Sequence, residues 1–367
     1  MSQLKEYPTY FLRQIQIAFD ILDEYQFNEP FHNYLTRKFQ QNKNWGSKDR
    51  KNYRAICYKI LRNYLIFNNI EKPNRVNEFL KLDEIIQKNG AYDSLIELID
   101  SNVSIGQINE SFKQQAPVFF VPYQNESNAT LINSDGCLGF IPDVSCFIFS
   151  GNTNLEPLIK SGTGYIQDYS STKAISKISP LCNENTVWDV CCASGGKSLS
   201  MLRLAKPKLH FCSDVRSSIL KNLQDRFDLS PFNSPTTFVW DATNKEHKNI
   251  PKLENSSIII ADLPCSGSGN WRRTPENRWM FYPDQLLKFQ KLQREIFINL
   301  YKHLPQGGYI YYMTCSIFNA ENGDNIDYFK LKFPELEIIH KEYYGGELDN
   351  YKGIYSDLIF GCLIRKS

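Results

Sequence analysis

No stretch of this 367-residue chain approaches the ~20 consecutive apolar residues that a membrane-spanning helix needs. A spanning helix is therefore excluded. The first thirty residues carry Glu6, Asp20, Asp23, Glu24 and Glu29 where a secretion signal would have its apolar centre, so the cytoplasm is the expected compartment. Net charge is scarce as well, at +2 from 42 Lys and Arg against 40 Asp and Glu. Any attraction for a polyanion must be local. Ten cysteines are present without one C-x-x-C pair, which argues against a zinc centre and against a disulfide framework. No metal is expected. Neither the Gly-x-Gly-x-x-Gly turn of a dinucleotide-binding dehydrogenase nor a Walker lysine loop occurs, and no internal repeat is visible.

What the chain does have begins with charge in one place. From Arg37 to Arg62 nine cations face the single acid Asp49, which leaves the rest of the protein net acidic. Phe39, Trp45, Tyr53 and Tyr58 are interleaved with them, a mixture suited to phosphate contact and base stacking as much as to a solvated face. Residues 8 to about 101 place apolar side chains three and four apart and predict helices, with turns near Asn28-Glu29-Pro30, Asn44-Trp45-Gly46, Lys72-Pro73-Asn74 and Asn89-Gly90. Ser47 is positioned to cap the third of these helices, from which Arg50, Arg54 and Arg62 project.

From Thr186 onward the pattern changes to alternation. Strands are predicted at 186–191, 208–214, 236–240, 257–263 and 308–315, with helices between them, then two strands at 335–343 and 356–365 without a long crossover. This is an α/β Rossmann-like domain: a seven-stranded, mostly parallel sheet closed by a C-terminal antiparallel hairpin, preceded by an all-α N-terminal domain. The expected division is 1–103 helical, 104–162 a connector or small α/β subdomain with short β-like runs, and 163–367 catalytic.

The chemistry sits at the strand ends. Open α/β sheets bind ligands beyond the carboxyl edge of their strands. Ala193, Ser194, Gly195 and Gly196 follow the first strand, and Asp214 closes the second at a spacing suited to ribose hydroxyls. Asp241 and Asp262 end the next two, so acids at 189, 214, 241 and 262 are expected on one rim. Each alone is an ordinary loop cap. Cys265 follows Pro264 and precedes Ser-Gly-Ser-Gly, while Cys315 lies between Thr314 and Ser316. Cysteine is commonly a buried filler, but these flanks are polar and turn-forming, and an exposed thiol is a strong nucleophile once a neighbour assists it. Arg272, Arg273 and Arg278, with Trp271 and Trp279, follow the first cysteine and suit a splayed-out RNA base and its phosphates.

Asp189-Val-Cys-Cys-Ala-Ser-Gly-Gly-Lys197, Asp262-Leu-Pro-Cys-Ser-Gly-Ser-Gly269, Met313-Thr-Cys-Ser316 and Gly164-Tyr-Ile-Gln-Asp-Tyr-Ser-Ser171 resemble the motifs of the RsmB/Sun family of RNA cytosine-C5 methyltransferases. The resemblance spans roughly residues 160–367. Trp45-Gly-Ser-Lys-Asp-Arg50 and Ala55-Ile-Cys-Tyr-Lys-Ile-Leu-Arg62 resemble a shortened NusB-like RNA-binding domain. The resemblance implies that Cys315 attacks cytosine C6, that Cys265 assists release, and that Asp262 holds the polar edge of the base. It implies S-adenosyl-L-methionine as cofactor, held by Cys191, Cys192, Ala193, Ser194, Gly195, Gly196, Lys197, Asp214, Asp241 and Asp262. It also implies RNA as partner, probed by Arg50, Arg54, Arg62, Arg272, Arg273 and Arg278, with ribosomal RNA the first expectation and no obligate protein partner. Ser194 stands where the family usually has Pro, Asp357-Leu-Ile-Phe360 replaces its Asp-Gly-Phe-Phe, and no Arg-Val-Asn is evident near Phe119 to Gln124. The competing readings are a transfer-RNA or DNA cytosine-C5 methyltransferase and a non-catalytic RNA-binding or ribosome-assembly factor.

Overall fold

The computed structural model describes residues 7–82, 90–124, 129–244 and 248–367. They divide into two units. The helical unit takes Met1–Ile96, Ser104–Gln115 and Trp271–Tyr282. Its main helices, Thr9–Asp23, Phe31–Gln41 and Ser47–Arg62, bury one face each in a common core that includes Ile15, Phe19, Phe31, Leu35, Ile56 and Cys57. Burying such side chains contributes roughly 1.5–3 kcal/mol apiece. Two details differ from the sequence reading. Ser47 is the first residue of its helix, Gly46 takes the capping position, and no side chain caps the turn. The segment 271–282 crosses from the catalytic stretch of sequence into this helical unit. Of the expected turns, Asn89 lies outside the described residues.

The second unit holds both sheets. In the smaller, β1 (Val118–Pro122), β2 (Cys137–Ile141), β3 (Cys146–Phe149) and β4 (Gly164–Ile166) pair antiparallel in the order β2-β3-β1-β4. In the larger, β5 (Thr186–Val190), β6 (Leu209–Asp214), β7 (Thr236–Val239), β8 (Ile258–Asp262), β9 (Tyr309–Thr314), β10 (Leu336–Leu348) and β11 (Tyr351–Lys366) follow the order β10-β11-β9-β8-β5-β6-β7. The five strands β5 to β9 are mutually parallel, and β11 runs against β9 and β10. That is the seven-stranded sheet with a terminal hairpin that the alternation predicts. Helices Gly196–Leu204, Ser217–Asp228, Gln285–His303 and Gly323–Lys332 lie between its strands in sequence. Coverage on both faces is why the interior strand β5 is buried at all five positions.

The hairpin is longer at its turn than expected. Its first strand is expected to end at 343, but Gly345 and Gly346 adopt φ of 103° and 90° at a register shift and the ladder continues beyond them. They form a bulge, which bends a strand without ending it.

Candidate active site

The two cysteines reach one place because their strands are neighbours. β8 and β9 run parallel with Asp262 opposite Met313, so the loops leaving them start side by side. Leu263 N donates to Met313 O at 3.0 Å and Gly269 N to Cys315 O at 2.8 Å, which folds the Pro-Cys loop back across the end of β9. Only glycine fits at 269, since a Cβ there would stand 2.2 Å from Leu358 O. Cys265 Sγ and Cys315 Sγ are 3.3 Å apart, both partly exposed, and Asn270 Nδ2 points to Cys315 Sγ at 3.7 Å. The contact with Cys315, then burial, then the charges of Glu321 and Asp262 hold the Cys265 proton well above the ordinary thiol range.

Beyond β5 the chain alternates left-handed residues, Cys191 (φ 57°), Ala193 (φ 47°) and Gly195 (φ 75°), before the helix Gly196–Leu204 begins. Gly195 is required twice over, by its φ and because a Cβ would press on Leu223 Cγ at 2.9 Å. Such a succession turns backbone N–H groups inward and makes a concave cradle for a polar ligand. Ala193 N donates to Asp214 Oδ2 at 3.1 Å, tying the cradle to the end of β6. Asp214 also accepts from Arg216 N and Nε, each at 3.0 Å, and these donors hold its carboxyl below the usual range against the effect of burial. A charged carboxylate beside a glycine turn suits ribose hydroxyls, so these residues fit an adenosine-bearing cofactor. Asp241 is exposed and accepts from Thr243 N and Oγ1 at 2.9 and 2.7 Å.

Ser194 does not leave the turn slack. Arg226, from the helix Ser217–Asp228, donates to Ser194 O at 3.1 Å and to its Oγ at 2.9 Å, supplying by hydrogen bonds the rigidity that proline would give. Sequence gave no sign of it, as 32 residues separate the two. Lys197 and Asp262, both expected at the cofactor, are paired with each other, Lys197 Nζ lying 2.5 Å from Asp262 Oδ2. Burial opposes the charge of Lys197, yet Asp262 and then Cys315 raise its pKa overall, so a cation stands beside the thiols. Ser266 and Ser316, which follow the two cysteines, share a buried carboxylate, Glu321, that the sequence reading passed over.

Asp189 departs from the expected rim of four acids. It is 1% exposed inside β5, accepts from Ser198 Oγ at 2.6 Å, and burial, with Cys212 beside it, raises its pKa to about 8. Its folded value lies above the unfolded one. The native state therefore holds the extra proton between about pH 4 and 8, and its stability declines through that window by up to about 1.4 kcal/mol per pH unit on this group's account. Asp189→Asn is expected to flatten the slope and to gain stability over wild type above pH 8, measured by urea titration at successive pH values.

The cations separate into two sets. Arg62, Arg272 and Arg278 are 8%, 3% and 8% exposed and belong to the interior of the helical unit, which corrects their reading as RNA contacts. Arg62 Nη2 donates to Arg272 O at 3.2 Å, and Arg278 donates to Ala91 O at 2.5 Å and Ser94 Oγ at 2.7 Å. Burial lowers Arg62 to about 10, still cationic at neutrality. The aromatics are structural too: Phe39 and Tyr53 are buried, Trp45 packs edge-on against both, and Trp279 donates to Leu61 O at 2.8 Å. Arg50, half-buried, donates to Trp45 O at 2.8 Å. Arg54 is exposed, with Lys43, Lys48 and Lys51, while Arg273 is half-buried.

A family described as 16S rRNA methyltransferase RsmB/F matches residues 178–354. A relative named Ribosomal RNA small subunit methyltransferase B, from Shewanella oneidensis, is 31% identical over 182 residues, covering 50% of this chain and 42% of the relative. Its namesake from Citrobacter koseri is 27% identical over 239 residues, covering 63% and 55%. The chain thus spans about half the length of the curated relatives it matches. The solved structure of PH0851 superposes with a TM-score of 0.72 at 18% identity over 98% of this chain and 99% of that one. A methyltransferase homolog protein from Pyrococcus horikoshii gives 0.57 at 19% identity, over 84% and 99%. Both share the fold. Among the described residues no helix is long and apolar enough to cross a membrane.

Proposed function

We propose, for a chain whose residues 178–354 belong to the RsmB/F methyltransferase family, that the protein methylates C5 of a cytosine in ribosomal RNA. The family and fold are those of S-adenosylmethionine-dependent methyltransferases, and S-adenosylmethionine is the cofactor. When bound it supplies an electrophilic methyl group on a sulfonium. Residues 191–197, Asp214, Asp241 and the rim acid Asp262 would hold it.

The observation that carries the reading is the 3.3 Å between Cys265 Sγ and Cys315 Sγ at the carboxyl edge of adjacent strands. Cytosine C5 is a poor nucleophile until something adds to C6. The sulfur of Cys315 adds there, the displaced electron pair enriches C5, and charge develops along the polar edge of the ring. Asp262 accepts from the exocyclic amine at that edge. Lys197, bound to Asp262, brings a positive charge where the negative one grows. Once C5 is methylated, its proton must leave and the bond from C6 to Cys315 must break. Cys265, in contact with Cys315, assists that second half.

Both reacting positions of a stacked base are covered by its neighbours, so the target cytosine has to leave the stack. Lys43, Lys48, Lys51 and Arg54 offer the exposed positive charge for the RNA backbone. Ribosomal RNA as substrate is supported by the names that the relatives carry. Bisulfite sequencing of ribosomal RNA from cells with and without the protein tests this: one cytosine protected only when the protein is present is the expected result, and identical maps would overturn it.

A further inference from the structure

We propose that Glu321 is a positioning residue that holds the two thiol loops in register. It rests on the reading of Cys265 and Cys315 as the reacting pair, and it concerns how that pair is kept together. Glu321 is 0% exposed. Its Oε1 accepts from Ser266 N at 2.9 Å and from Gln293 Nε2 at 2.9 Å, and its Oε2 accepts from both Ser266 Oγ and Ser316 Oγ at 2.5 Å. Ser266 follows Cys265 in sequence and Ser316 follows Cys315. One carboxylate therefore bridges the residue after each sulfur.

A carboxylate is the side chain this place needs, because it presents two acceptor oxygens and no donor to four converging donors. The clamp is itself braced. Gln293 also donates to Pro264 O at 2.9 Å, and Tyr312 OH donates to the main-chain carbonyl of Glu321. Taking the carboxylate away leaves two hydroxyls and an amide of the thiol loops with no common acceptor, so the loops are then joined by the main-chain bonds at Leu263 and Gly269 and by hydroxyl contacts such as Ser266 Oγ to Ser316 Oγ at 3.2 Å, without the charged bridge next to the sulfurs.

The test needs no RNA. Diamide oxidises a pair of adjacent thiols, taking up two electrons and two protons on its N=N bond as the S–S bond forms. Its rate of closing Cys265 to Cys315, followed by non-reducing peptide mass spectrometry on the full chain, reports how well the sulfurs are held together. Wild type closes rapidly, Glu321→Ala closes about tenfold more slowly, and Glu321→Gln, which keeps an acceptor and the length, falls between. S-adenosylmethionine affinity, measured alongside, stays within about twofold of wild type if the rest of the sheet is intact, which a merely structural loss would not allow. A Glu321→Ala rate equal to wild type overturns the proposal. Should that variant fail to fold, Ser316→Ala removes one arm of the clamp, with closure expected about threefold slower and an unchanged rate overturning the proposal. Failure here leaves the proposed methylation standing, and an absence of methylation leaves this measurement intact.

Discussion

Cys315→Ala is expected to lower methyl transfer by at least about 10³-fold and to form no RNA–protein adduct, whereas Cys265→Ala accumulates an adduct that survives denaturing gel electrophoresis. The two variants differ because addition and elimination are separate steps served by separate sulfurs. Cys315 makes the bond to carbon. Cys265 keeps its proton in the resting site, held there first by the sulfur beside it, and so is poorly suited to begin the reaction. Without Cys265 the first half proceeds and the second stalls. Without Cys315 neither occurs. Accumulation in Cys315→Ala and none in Cys265→Ala would reverse the assignment and point to the DNA-type arrangement, where the Pro-Cys sulfur is the nucleophile.

The second large effect lies far from this chemistry in role. Arg278→Ala is expected to destabilise the helical unit by about 2–4 kcal/mol, since it leaves a buried carbonyl and a hydroxyl without their donor and empties the space beneath Trp279. The guanidinium stands 5.2 Å over that indole, so part of the loss is packing and part is charge. Arg54→Ala, on the exposed face, is the contrast. It should leave the melting temperature nearly unchanged, weaken RNA binding, and reduce the salt dependence of that binding by about one counterion. Thermal melts and salt titrations of both variants separate a structural arginine from a phosphate contact. Equal melting temperatures for Arg278→Ala and wild type would sink the structural assignment.

The parallel strands could be read from sequence because burial on both faces writes them as short apolar runs, and their bounds agree with the structure to within a residue or two. The thiol pair could be read because each cysteine follows such a run, and strand adjacency did the rest. What could not be read was depth. Asp189 and Asp214 both close apolar segments, but only the structure reveals that one sits wholly inside β5 while the other meets the glycine turn. Arg62 and Arg54 lie two turns apart on one helix and look alike in a charge count, yet one is interior and the other exposed, because what covers Arg62 comes from residue 272. Partners so distant leave no periodicity. Arg226 on Ser194 and Glu321 on Ser266 were invisible for the same reason.

That late-arriving cover has a consequence for how the polypeptide matures. Phe31 N rests on Glu276 Oε1 at 3.0 Å, Tyr92 stacks on Trp271 at 5.6 Å, and Phe112 meets Trp279 at 6.0 Å. The amino-terminal helices therefore emerge from synthesis unfinished and wait for a dozen residues encoded more than 150 codons downstream of Phe112. A fragment ending near residue 103 would expose the apolar seats of two tryptophans, and should be sticky and easily proteolysed, unless the peptide 271–282 is returned to it.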